Sequence, residues 1–241
     1  VYVGIDDTDT AASDIGTGKL ARRFAARLNA GSRLIGVVRQ QLPLMEEIPY
    51  TSHNSAACLL LDWPDDAGLH KLIEAAVDYL QHHFQEGSDP GLCVADAASP
   101  AITLLTAFGY RCAAQRVTQQ EAMSAAADIH LSGHGGTNDG IIGAAAAVGL
   151  TASGWSGRFI ERGTLRKLPR HVSVAELQGQ NITVMSVDRD APVPSPADRV
   201  DTRNWVRPRL IADRAVLMVR SSGPGRWENI GEKRHGRGAS K

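Results

Sequence analysis

From Gly140 to Gly149 the chain reads Gly-Ile-Ile-Gly-Ala-Ala-Ala-Ala-Val-Gly, ten residues without one polar side chain. A helix over 141–148 that is apolar on every side has to be buried. Its small side chains let it pack tightly on a sheet, and Gly149 reads as its stop. No apolar run in the chain approaches the ~20 residues of a membrane span. Around this segment strands and helices alternate irregularly. Strands are expected at 1–6, 33–39, 55–61, 155–162, 182–187 and 215–220. Helices are expected at 17–28, 66–84, 99–108 and 118–127, the last opened by a Thr118/Glu121 capping box. Residues 191–208, rich in proline and charge, read as a loop. The pattern implies an α+β fold, not a doubly wound sheet.

Three cysteines, Cys58, Cys93 and Cys112, stand without a Cys-x-x-Cys spacing, which excludes a disulfide framework and a cysteine-rich zinc module. The N-terminal Val1-Tyr-Val-Gly-Ile-Asp6 reads as a strand and not as a cleavable leader, so a cytoplasmic protein is expected. The formal net charge is zero. Residues 1–157 nevertheless carry 9 basic and 17 acidic side chains, a balance of −8, and residues 158–241 carry 17 and 9, a balance of +8. Either the two parts serve different partners, or oppositely charged parts of one fold pack on each other.

Gly4-Ile-Asp-Asp-Thr-Asp9 ends the first strand with three carboxylates in four residues. Their repulsion costs stability unless a cation or hydrogen-bond donors offset it. Hard oxygen ligands at a strand end suit Mg2+, which is held by one or two carboxylates plus phosphate oxygens. An acidic turn capping the next helix would use the same residues. Ile15-Gly-Thr-Gly-Lys-Leu20 looks like the tail of a phosphate-binding loop but fails that motif at Ser13 and Leu20. What survives is two glycines, a hydroxyl and a lysine at a helix N-terminus, where free N–H groups favour phosphate; a plain N-cap by Thr17 is the alternative. Gly135-Gly-Thr-Asn-Asp-Gly140 is a second phosphate-like element, or a turn before a buried helix. Tyr50 and His53, in a polar loop, offer stacking or phosphate contact. The histidines form no metal-spaced pair with a carboxylate.

Gly4-Ile-Asp-Asp-Thr-Asp9, Gly16-Thr17, Ile48-Pro-Tyr-Thr51 with Asn54, Asp89-Pro-Gly91 and the 140–149 run occur in this order. Together they resemble the archaeal tRNA-isoleucine 2-agmatinylcytidine synthetase family, in its N-terminal kinase-like domain and the ferredoxin-like domain beside it. The resemblance covers most of 1–150 and fades afterwards. It implies an enzyme that uses Mg-ATP to activate the C2 carbonyl of a tRNA cytidine, which agmatine then attacks, with AMP as the nucleotide product. By position, it makes Asp6, Asp7 and Asp9 the metal ligands and Thr17 the counterpart of a threonine phosphorylated in that family. Asp7, Thr17 and Lys19 are then the catalytic candidates. Gly16, Gly18, Tyr50, Asn54, Gly136, Thr137, Asn138 and Gly140 are the nucleotide-binding candidates. The chain departs from the family in lacking a counterpart of its OB-fold and zinc ribbon. The loop over 10–15 is longer, and Gly18 and Lys19 stand where the family is less basic.

Two domains are therefore expected. One is a kinase-like α/β nucleotide-binding domain over 1–157, part of which can belong to the ferredoxin-like domain. The other is a smaller, basic, strand-rich ferredoxin-like region over 158–222, followed by a polar tail over 223–241. The function expected is Mg-ATP-dependent phosphorylation or activation of an acceptor, a tRNA or another RNA held by the basic part. The alternatives are a small-molecule acceptor or a non-catalytic nucleotide-binding module.

Overall fold

The computed structural model describes residues 1–28, 31–45, 54–64, 68–190 and 193–231. The chain divides into two compact units, Val1–Arg162 and Gly163–Lys241. In the first, the elements run β1 (Tyr2–Asp6), α1 (Thr17–Ala25), β2 (Arg33–Gln41), β3 (Ser55–Asp62), α2 (Leu69–His83) and β4 (Gly91–Ala95). They continue with α3 (Ile102–Ala114), α4 (Gln119–Ala125), β5 (His130–Gly133), α5 (Gly140–Ala152) and β6 (Arg158–Glu161). The strands lie in the order β5-β4-β1-β3-β2-β6, and every neighbouring pair is antiparallel. Since β1 and β2 both pair antiparallel with β3, they run parallel, and α1 makes the crossover. The same holds for β3 and β4 about β1, with α2 as crossover. This β-α-β-β-α-β path with central order β4-β1-β3-β2 is the ferredoxin-like one, and it lies in the first unit.

Both faces of the sheet are covered, so all five residues of β4 are buried and its sequence is apolar throughout. On one face Val3, Ile5, Leu59 and Leu92 meet Leu20 and Phe24 of α1 and Leu72 and Leu80 of α2. On the other, Cys58 and Cys93 meet Leu105 and Phe108 of α3 and Ala144–Ala147 of α5. The apolar run thus lies directly on the sheet with α3 behind it. Helix α5 does not stop at Gly149 but continues to Ala152. Gly149 is there because a Cβ would lie 1.9 Å from the Leu105 carbonyl oxygen of α3. At the other end, a Cβ on Gly91 would lie 2.1 Å from the Gly140 carbonyl, so the starts of β4 and α5 touch backbone to backbone.

Several sequence expectations shift. Helix α3 begins at Ile102, three residues after the expected start, because Ser99 and Pro100 form the preceding turn and the Ser99 hydroxyl accepts the Ala101 N–H at 3.3 Å. Helix α1 ends at Ala25, and the expected start of the second helix, at Asp66, lies outside the described residues. The capping box at Thr118 and Glu121 is present with both reciprocal bonds. Strand β4 was not anticipated, since five apolar residues carry no alternation to read.

The second unit contains β7 (His171–Ser173), α6 (Val174–Gly179), β8 (Ile182–Ser186), β9 (Arg199–Asp201), β10 (Arg209–Ile211), β11 (Arg214–Gly223) and β12 (Arg226–Asn229). Its strands lie in the order β10-β11-β12-β9-β7, with β8 parallel to β11. Its core includes Val172, Leu177, Val200, Leu210, Val216, Val219 and Trp227, all buried. Trp227 satisfies its indole N–H on Asp198 at 2.8 Å. The proline-rich segment expected as loop contains β9, three residues held between β7 and β12. Among the described residues this unit has one α-helix, six residues long.

Gly149→Ala would add about 1 kcal/mol of helix propensity. Forcing a methyl group against the backbone of α3 costs roughly 1–3 kcal/mol, so a net loss of stability is expected. Gly179→Ala, at the end of α6 with nothing within 4 Å of the new Cβ, is expected to be neutral or slightly stabilising. Urea midpoints of the two variants check the contrast.

Candidate nucleotide and metal site

The register gathers the predicted motifs at one end of the first sheet. Asp6 lies opposite Gly91, Gly91 opposite Gly133, and Gln41 opposite Ser55. The ends of β1, β2 and β5 and the starts of β3 and β4 therefore share one edge. The segments 7–16, 84–90 and 134–139 all meet it, as do the described ends of the β2–β3 connection at 42–45 and 54, and α1 and α5 begin there on opposite faces.

Alternation along β1 sends Val3 and Ile5 towards α1 and α2, and Gly4 and Asp6 towards α5. The Asp6 carboxylate rests against α5 so closely that a Cβ on Gly143 would lie 1.6 Å from its Oδ2. Burial, helped by Asp7 and Asp9, pushes Asp6 up to about 7. Asp7 follows with φ 50°, a left-handed conformation that aspartate tolerates better than most residues. It is pushed up to about 6 by burial and by Asp89, Asp9 and Asp139. Burial and like charge together oppose ionisation of this pair, a cost that a cation or hydrogen-bond donors would offset.

Asp9 is bonded to the start of α1. Its Oδ1 accepts the Thr17 backbone N–H at 2.9 Å and the Thr17 hydroxyl at 3.0 Å. The Thr17 oxygen in turn accepts the Thr8 hydroxyl at 3.2 Å. Gly16 occupies the cap position, and no side chain of that residue or of Thr17 caps the helix; the Asp9 carboxylate caps it from the loop. Thr17 is buried, at 6% exposure, with its proton directed at a carboxylate. Gly18 lies against Ile160, whose Cδ1 would stand 3.0 Å from a Cβ there, so packing alone accounts for that glycine. Lys19 is exposed on the next position of the helix.

The second glycine loop is latched by Asp89, whose carboxylate accepts the Thr137 N–H at 3.0 Å and the Thr137 hydroxyl. Gly136 takes φ 52° and Asn138 φ 65°. A Cβ on Gly136 would collide with Asp89 Oδ1, so only glycine lets the loop close on this carboxylate. The Gly140 N–H donates to the Asp89 carbonyl at 3.1 Å. Gln119 of α4 donates to the Thr137 carbonyl at 2.9 Å and to Asp139 at 2.6 Å. Asn54 donates its amide to the Pro43 carbonyl at 2.7 Å, closing the base of the β2–β3 connection. Tyr50 lies outside the described residues, as does His53.

Asp89, Asp139 and Gln119 were not picked out as site residues by sequence reasoning. For Asp89 the signal was its place before Pro90-Gly91. Asp139 stands inside the Gly135–Gly140 element already read as phosphate-like; Gln119 has no local signal, because it reaches the loop from α4. His130 of β5 and His134, just past its end, both bond the Ser132 hydroxyl, at 2.9 and 2.8 Å, a line invisible to a search for metal-spaced histidines. Among the described residues no three His, Cys, Asp or Glu side chains form a group able to hold a metal ion by themselves. The donors at the sheet edge fit instead a Mg2+ held by one or two carboxylates, with phosphate and water oxygens completing its shell.

The raised carboxyls set a pH dependence for the protein without metal or nucleotide. The folded chain keeps protons on Asp6 and Asp7 that the unfolded chain has released above about pH 4. Unfolding therefore releases protons between about pH 4 and Asp6's folded value of about 7, and stability falls as pH rises through that window. A melting series should show the decline, and Asp6→Asn should flatten it and raise Tm near neutral pH.

No family model matches this chain, and no curated protein matches it. Solved structures do. The crystal structure of apo TiaS, an agmatidine synthetase acting on an isoleucine tRNA, superposes with a TM-score of 0.51 at 26% identity, over 61% of this chain and 34% of that one. The complex of TiaS with its tRNA and ATP gives 0.52 at 27% identity, over 61% and 35%. A structure described as a tRNA fluorescent labeling enzyme gives the same values. The chain thus spans about a third of the length of these proteins. It is similar in structure to ATP-bound tRNA-modifying enzymes, as the sequence motifs suggested. Among the described residues no helix is long and apolar enough to cross a membrane.

Proposed function

We propose that the first unit is a nucleotide-activating enzyme that uses Mg-ATP to phosphorylate or otherwise activate an RNA acceptor, a tRNA cytidine in the fullest form of the reading. The observation that carries it is the Thr17 hydroxyl at the start of α1, its proton on Asp9 at 3.0 Å, beside two carboxyls raised by burial and like charge. In this reading the kinase-like function is built on the ferredoxin-like core of the first unit, enlarged by β5, β6 and α3–α5. The basic second unit supports the acceptor.

Each residue then has a task. Asp6 and Asp7 would hold Mg2+, which neutralises charge on the triphosphate and polarises the transferred group. Asp9 holds Thr17 in place and would take its proton as the Thr17 oxygen bonds to a phosphorus of ATP. The bond from that phosphorus to its bridging oxygen would break, and the rest of the nucleotide would leave. The loop over 135–140 would border the triphosphate at the start of α5, its shape fixed by Asp89, which takes the Thr137 and Gly140 N–H groups. Lys19 supplies a positive charge in the first turn of α1. Phosphoryl transfer depends on positioning and charge neutralisation more than on covalent chemistry, and this end of the sheet provides both. The TiaS complex with tRNA and ATP supports the same choice of ligands.

Melting curves test the metal and nucleotide together. ATP at ~100 times its Kd should add about 2.7 kcal/mol of stability, only with Mg2+ present, and Asp7→Asn should abolish most of the shift. Equal shifts in EDTA would overturn the metal assignment. Thr17→Val should lower turnover far more than ATP affinity, while Thr17→Ser should retain activity. Equal turnover in all three proteins would leave Thr17 as a residue that orders the loop only. The nucleotide released with tRNA present, AMP or ADP, separates activation of the acceptor from simple phosphorylation.

A further inference from the structure

The acidic first unit places three of its few cations in one row. Lys19, Arg23 and Arg27 recur every four residues along α1 and the turn after it, all exposed. The opposite side of the helix, Leu20, Ala21, Phe24 and Ala25, is buried in the core. Arg22, off the row, is turned to Glu161 at 3.6 Å. At ~1.5 Å rise per residue the row spans about 12 Å, and it begins two residues from Thr17.

The far end of the row has an aromatic face. Arg27 donates to His83 Nε2 at 3.2 Å and lies 5.2 Å from the Tyr79 ring centre. His83 Nδ1 is 2.8 Å from the Tyr79 carbonyl oxygen. A carbonyl can only accept, so Nδ1 is the donor in that bond, and the guanidinium donates to Nε2. The His83 ring stacks on Tyr79 with centroids 4.1 Å apart and an angle of 16°. Tyr79 is buried beneath it, whereas His83 is half-buried. The nearby Asp78 carboxylate faces His82 at 3.3 Å.

From this geometry we infer that the row is a track for a single-stranded RNA backbone, with phosphates on Lys19, Arg23 and Arg27 and a base on His83. Evenly spaced cations leading to a proposed phosphoryl-transfer site, and ending at a flat ring stacked on a tyrosine, fit a polyanion that carries bases. An acidic protein segment would use the charges and leave the ring without a function. The inference rests on the RNA acceptor proposed above and assigns it a path on the first unit, distinct from the basic second unit.

The test is binding of a single-stranded RNA, and of tRNA, to the full chain between about 50 and 200 mM salt. Each lost phosphate contact should make the slope of log K against log salt shallower by ~0.7. Arg23→Gln should show that change, and Arg23→Gln with Arg27→Gln about twice it. His83→Ala should weaken binding roughly tenfold at every salt concentration with the slope unchanged. All variants should keep the wild-type Mg-ATP melting shift, which also checks that they fold. Should Arg27→Gln unfold the chain, Arg23→Glu alone decides the matter, because Arg23 is exposed. RNA binding with a wild-type slope in the Arg23 variants overturns the track and leaves the RNA acceptor standing. Absence of RNA binding by the wild type at low salt, with the Mg-ATP shift intact, overturns the RNA acceptor and the track with it.

Discussion

The first unit depends on backbone-to-backbone contact between a helix of small residues and the sheet beneath it. Helix α5 lies on β1 and β4 with almost no side-chain volume between. A Cβ on Gly4 would meet the Ala144 carbonyl oxygen at 2.2 Å, and one on Gly140 would meet the Asp89 carbonyl oxygen at 2.0 Å. Close packing of this kind tolerates little movement. It draws the N-terminus of α5 to the level of the strand ends, where a longer side chain would have held it away. The Asp6 carboxylate, the Asp89 latch and the glycine loop are neighbours because of that approach.

A second tension follows from the first. Carboxylates brought to one edge and partly withdrawn from water oppose their own ionisation, as the positions of Asp6 and Asp7 show. The fold relieves part of this locally. Asp9 takes two donors from Thr17, and Asp89 takes two from Thr137. Both carboxylates thereby order a loop that carries a hydroxyl. Asp6 and Asp7 keep the unrelieved share. A site that is costly when empty gains most from a bound cation, since binding then removes a repulsion as well as adding contacts. The three cysteines stand apart from this chemistry: all are buried, and burial pushes the Cys58 thiol up to about 12.

Charge is sorted by face as well as by segment. The first part of the chain is acidic in sum, yet its helix α1 carries a row of cations on the solvent side. Net charge per segment therefore described the surface poorly. In the second unit some of the basic surplus is committed within the unit itself: Arg170 to Asp201 at 3.1 Å and Arg203 to Glu228 at 3.0 Å.

Local chemistry in the sequence was enough for β1 and its acidic end, the buried character of the 141–148 run, the capping box at Thr118, and the pairing of an acid cluster with a hydroxyl at a helix start. Each depends on residues within a few positions of one another, where periodicity and capping rules act. The sequence alone did not determine that Asp9 would cap α1, that Gly149 would lie inside a helix, or that the ferredoxin-like path would fall in the first unit. Nor did it reveal that Asp89 and Gln119 would hold the glycine loop, or the meeting of Arg27, Tyr79 and His83. These are decided by strand register and by how closely two backbones can approach, and both come from contacts between segments tens of residues apart. The acid string could be read because its members are adjacent in the chain; the latch on the glycine loop required the fold, since 48 residues separate Asp89 from Thr137.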